Sequence, residues 1–92
     1  MKITCDAAKR AATLKDRDID FESAAEVFEG VVIDIPDERF DYGELRMLTV
    51  GHLRGRMVIV VWTARGDARH VISMRKANDR EQARFANGFR EI

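Results

Sequence analysis

The sequence predicts an α+β domain: a mostly antiparallel, twisted sheet with an N-terminal helix pair on one face and a C-terminal helix, in the order β-α-α-β-β-β-β-α. Three observations carry this. Two helical segments, each preceded by an aspartate able to cap it, fall before residue 30. Short β-rich segments separated by glycine turns fill the middle of the chain. One of them, "MVIVVWTA", is apolar on both faces, as a central strand requires.

In order, "MKIT" reads as a short edge strand, and Asp6 caps a helix over "AAKRAATLK". "DRDID" interrupts it. Asp20 then caps "FESAAEVFE", whose Phe21, Ala24, Ala25 and Phe28 form one buried stripe and which Gly30 ends. "VVIDI" is a β-branched strand expected to stop at Pro36, and "PDERFDYGE" is a polar connection. "LRMLTVGHL", a turn at Gly55, "MVIVVWTA", a turn at "RGD" and "ARHVIS" make two successive hairpins. Asn78 followed by Glu81 opens a last helix expected to carry Ala77, Phe85 and Phe89.

The 92 residues suffice for one domain, 1–92, with a modest core that a partner would help to complete. No apolar run is long enough to span a membrane, and no apolar h-region follows the N-terminal lysine, so a cytoplasmic protein is expected. A single cysteine excludes an internal disulfide, and His52 and His70 have no ligand partners at metal spacing. Phosphate loops, nucleophile elbows and aromatic RNA-binding signatures are absent.

The zero net charge hides an asymmetry. Residues 1–45 hold six Lys/Arg against twelve Asp/Glu, and residues 46–92 hold ten against four. Either the halves pair across a folded surface or the second half offers a basic face to an anion. Arg54 and Arg56 flank one turn, Arg65 and Arg69 the next, and Arg75, Lys76 and Arg80 gather where the last strand meets the last helix. Such arginines are either solvated and paired, with Asp67, Asp79 and Glu81 at hand, or they converge on phosphate. Trp62 is either core or a stacking platform for a base. His70 titrates near neutrality and is either a strand residue or a general acid or base.

Four segments, "DAAK" at Asp6–Lys9, "IDFESAAEVFEG" at Ile19–Gly30, "YGELRMLTVGHLRGRMVIVVWTARGD" at Tyr42–Asp67 and "VISMRKANDRE" at Val71–Glu81, are similar in order and spacing to the BrnT toxins of bacterial type II toxin–antitoxin systems. The resemblance implies a RelE-like fold and a ribonuclease that halts translation without metal or organic cofactor. It also implies a BrnA-type ribbon-helix-helix antitoxin, joined in a 2:2 heterotetramer, through which operator DNA is reached. Carried over by position, Arg46, Arg65, Arg75 and Lys76 match family cations expected to bind and stabilise phosphate, and Ser73 matches the family's serine. Beyond that match, Lys15 or His70 is expected to move the proton, and Arg54, Arg56, Trp62, Arg69, Ser73 and Arg80 to contact RNA. Glu81 matches the acid that comes after the "RK" pair. The chain departs from the family pattern at three places. Asp16–Arg17–Asp18 stands for Lys-His-Gly, His70 for an arginine, and Cys5 for an aromatic residue. The first departure raises a second expectation: a weakened or inactive toxin-like subunit that binds the antitoxin and tunes its DNA binding.

Overall fold

Asp6 starts the first helix by accepting the Lys9 N–H on Oδ1 at 2.9 Å. In the computed structural model, which describes residues 2–39 and 43–90, strand β1 (Lys2–Cys5) leads into this helix, α1 (Ala7–Arg17). The helix runs two residues past the expected "AAKRAATLK" and closes at Asp18, whose backbone takes the left-handed conformation (φ 56°, ψ 37°) and donates to the Leu14 carbonyl. A residue with a Cβ is strained there, whereas glycine is not. Asp18→Gly is therefore expected to raise stability by about 0.5–1 kcal/mol, measured as a higher urea midpoint at unchanged slope.

Asp20 also caps as expected, but the chain first makes a 3-10 turn (Phe21–Ser23) and only then enters helix α2 (Ala24–Glu29). Strands β2 (Ile33–Asp37), β3 (Arg46–Leu53), β4 (Arg56–Arg65) and β5 (Ala68–Lys76) precede helix α3 (Asp79–Arg90). Residues 40–42 of the polar connection, with Met1 and 91–92, lie outside the described residues. Among the described residues the fold is α+β, with three helices and one mixed five-stranded sheet ordered β1-β5-β4-β3-β2. All pairings are antiparallel except β1 with β5.

Two strand ends differ from expectation. β2 continues through Pro36 to Asp37, because it is an edge strand and the missing N–H of proline can face away from β3. β5 continues through Arg75 and Lys76, which pair with Ile59 and Val58. The two cations are thus successive strand residues, and they point to opposite faces.

The apolar middle strand, β4, sorts the core. Val58 and Val60 face Ile19, Phe21, Ala24, Val27 and Phe28, with Val71 and Met74 beside them. α2 comes so close that a Cβ on Gly51 of β3 would meet Val27 Cγ1 at 2.6 Å. On the other face Met57 and Ile59 pack with Val50 and Ala77 beneath Phe85 and Phe89 of α3. Only the second member of the expected helix pair delivers buried side chains, for α1 contributes none. Instead Arg17 donates from Nη1 to the Met74 carbonyl at 3.3 Å, covering the part of β5 that lies beyond the end of β1. None of the three helices is long and apolar enough to cross a membrane.

Candidate functional site

Strand register decides which candidate side chains share a face. On β4 the α3 side is marked by Met57, Ile59 and then Val61 and Thr63. Ser73 pairs with Val61, Arg75 with Ile59, and His70 with Thr63, so all three look out on that side. Strict alternation along β5 would have set His70 against Ser73 and Arg75. A bulge prevents this: Trp62 pairs with Val71 and Val61 with Ser73, which leaves Ile72 as an extra residue. The same extra residue lets Val71 and Met74 both sit in the helix-side core. Arg65, opposite Ala68, and Arg46, opposite Asp37, belong to the α3 side as well.

α3 covers only part of this face. Beside it a cleft of about 340 Å³ remains, floored by Ile35, Leu48 and Val61 and walled by Phe85. Arg39, Ser73, Arg75, Glu81 and Arg84 supply its polar lining. Glu81 fixes two things with one carboxylate. Its oxygens take both Nη atoms of Arg75 at 2.6 and 2.7 Å, and Oε1 also takes the Asn78 N–H at 3.0 Å. Asn78 Oδ1 in return takes the Glu81 N–H at 2.8 Å, which completes a capping box. Arg75 is therefore held by the start of α3. Arg39 is held similarly by the buried Asp37, at 2.8 and 3.0 Å.

The Arg75 hydrogen bonds bring the Glu81 pKa from 4.5 to about 2, with the Asn78 N–H adding to the effect. The folded carboxyl thus stays ionised where the unfolded one already takes up a proton. The pair's stabilisation is full above pH 4.5 and is lost as pH falls towards 2. In chemical denaturation across this acid window, Glu81→Gln is expected to show a flatter loss of stability than the parent.

Further along β5, His70 Nδ1 lies 2.8 Å from Thr4 Oγ1. Partial burial lowers the His70 pKa from 6.5, and the Arg65 cation adds to this, so the neutral ring is favoured at neutral pH. Arg65 itself is 3.5 Å from Glu44 across the sheet end. When Nδ1–H donates to Thr4, Nε2 carries the lone pair that a general base needs. Ser73 stands between His70 and Arg75, and the three span about 13 Å of strand, because their partners Thr63 and Ile59 are four positions apart.

The other expected site residues lie elsewhere. Lys76 faces the helix side, where it lines a separate hollow of about 300 Å³ with Arg54, Arg56 and Asp18. The turn that bears Arg54 is at the far end of ten-residue β4 from Arg65, so the two basic hairpins do not converge. Trp62 donates to Thr49 Oγ1 at 2.7 Å and meets Phe28 edge-on, while Arg69 lies over both rings, at 4.3 Å from Phe28 and 4.7 Å from Trp62. Trp62 is part of the helix-side packing rather than a platform on the cleft. Lys15 is exposed on α1, Arg80 is exposed on the first turn of α3, and neither lines the cleft. Sequence reasoning missed Arg39 and Arg84. Arg84 had a readable signal, three residues after Glu81 on one helix face, whereas the Arg39 pairing depends on Asp37, two residues earlier, being buried at the sheet edge. Among the described residues, no three His, Cys, Asp or Glu side chains gather at metal-binding distances.

One family model matches this chain over residues 6–81, and its description is "Ribonuclease toxin, BrnT, of type II toxin-antitoxin system". No curated protein matches.

Proposed function

The chain belongs to the BrnT family of ribonuclease toxins of type II toxin–antitoxin systems, and from that premise we propose a metal-independent endoribonuclease that inhibits translation, works in the cytoplasm and has a RelE-like fold. The observation that carries this reading is the shared face of Arg46, Arg65, His70, Ser73 and Arg75, beside a cleft already furnished with cations. RNA lies along β5. His70 takes the 2′-hydroxyl proton, the 2′-oxygen bonds to phosphorus, and the bond to the 5′-oxygen breaks as that oxygen takes a proton from water. Arg65 and Arg46 stabilise the charge that builds on the phosphate, and Arg75 anchors a neighbouring phosphate. His70 is preferred over Lys15 for the proton, because Lys15 lines neither the cleft nor the β5 track. Lys76, Arg54 and Arg56, on the helix side, serve a flanking stretch of RNA rather than the reacting phosphate.

Type II toxins pair with a protein antitoxin. The proposed partner is a BrnA-type ribbon-helix-helix protein, in a 2:2 assembly that reaches operator DNA through the antitoxin. The decisive experiment is cleavage of single-stranded RNA by purified protein in the presence of chelator. Intact RNA, with Arg75→Ala behaving like the parent, would sink the reading.

A specific observation favours a second reading, a toxin-like subunit with weakened catalysis that tunes DNA binding by its antitoxin. Where the family pattern has Lys-His-Gly, Arg17 bonds the Met74 carbonyl and Asp18 ends α1. That segment has become structural. Growth arrest on expression without any antitoxin would count against this alternative.

A further inference from the structure

Building on the ribonuclease reading, we propose that the cleft beside α3 is a nucleobase subsite selective for guanine in single-stranded RNA. At about 340 Å³ it lies at the small end of ligand clefts, the scale of one nucleotide. Its floor argues for a base rather than a phosphate. Ile35, Leu48 and Val61 offer an apolar surface that a phosphate gains nothing by covering, while a base can bury a ring face there.

The rim selects the base. Three guanidinium groups, of Arg39, Arg75 and Arg84, present only donors. The carboxylate on the rim, Glu81, already accepts from Arg75 with both oxygens and from the Asn78 N–H. A donor-rich rim suits an edge with two adjacent acceptors, which in RNA is the O6/N7 edge of guanine. Adenine and cytosine place an amino group at that edge, and uracil offers O4 beside its own N3–H.

Arg84 is the reader. Arg75 gives both Nη atoms to Glu81 and Arg39 is paired with Asp37, so neither presents an open fork to a base. Among the described residues Arg84 takes part in no ion pair, and its Cζ lies 5.0 Å from the centre of the Phe85 ring that walls the cleft. Its fork is free to bond O6 and N7 together.

The test uses labelled, uridine-rich single-stranded RNA oligonucleotides that differ at one position: guanine, inosine, 7-deazaguanine or adenine. Binding by fluorescence anisotropy is expected to be about 10–100-fold tighter for guanine than for adenine. Inosine, which keeps O6 and N7, should behave like guanine, and 7-deazaguanine should fall between. Arg84→Ala should bring all four to the adenine level, and Arg84→Lys should retain overall affinity but lose the preference, having charge without the fork. Equal binding of the four by the parent, or an Arg84→Ala loss of the same factor for each, would overturn the subsite. Cleavage of the same oligonucleotides separates the two proposals. Discrimination without cleavage leaves the subsite standing and removes the nuclease, and cleavage without discrimination does the reverse.

Discussion

Replacing His70 by alanine is expected to lower RNA cleavage by about 10²–10⁴-fold while leaving the fold in place. On this sheet face the ring combines a favoured neutral state at neutral pH with an orienting partner, Thr4 Oγ1 at 2.8 Å. Its environment also fixes the shape of the pH profile. Burial first, and the Arg65 cation second, disfavour the imidazolium and lower the pKa from 6.5. Cleavage by the parent should therefore climb on a limb centred below 6.5 and level off as pH rises further. Removing the cation with Arg65→Gln relieves part of that pressure, so the limb should move up towards 6.5, in addition to any loss of rate. Initial rates from about pH 5 to 8 check both points. A profile in His70→Ala with the same limb as the parent would assign the proton transfer to another group.

Arg75→Ala is expected to lower kcat/KM by about 10–100-fold, mostly through KM, because one charge-assisted phosphate contact is worth roughly 1.5–3 kcal/mol. It also leaves the Glu81 carboxylate without its cation. Arg75 is 42% exposed and Glu81 22%, so solvent screens the pair and the cost in stability is about 1 kcal/mol. The two effects have different signatures. Arg75→Lys should recover part of the stability but little of the RNA affinity, since an ammonium cannot hold Glu81 and phosphate in the same planar arrangement. Single-turnover kinetics and urea denaturation on both variants separate them. If Arg75→Ala binds and cuts RNA like the parent, phosphate is anchored elsewhere, and the basic hollow on the helix side, with Lys76, Arg54 and Arg56, becomes the alternative.

Local chemistry made part of this molecule readable. Asp6, Asp20 and the Asn78–Glu81 pair could be identified because a cap joins groups two or three residues apart, within one stretch of sequence. The unbroken apolar run of β4 marked the strand that packs on both sides. Composition alone stops β2 at Pro36 and β5 at Ser73, short of their real limits at Asp37 and Lys76, because what ends a strand is the partner alongside it. The site divides along the same line. Arg46, Arg65, Ser73 and Arg75 were recognisable as candidates by type and position, but whether two cations work together depends on which way each faces. Arg75 and Lys76 are neighbours in sequence and point apart, while Arg75 and Glu81 are six residues apart and meet at 2.6 Å. Arg39 has its partner only two residues away, yet the sequence does not mark the pair. Its role comes from Asp37 lying buried at the edge of the sheet.

The extra residue in β5 makes chain length, rather than side-chain identity, the quantity that protects this site. Substituting Ile72 would alter packing and little else, so an alanine scan would pass over it as unimportant. Deleting it would restore strict alternation and rotate either His70 or the Ser73–Arg75 pair through half a turn, without changing one proposed functional side chain. A homologue with every expected residue but one position fewer between them would keep the same letters and lose the site. Single-residue deletions and insertions between His70 and Ser73 would expose a dependence that no set of substitutions can.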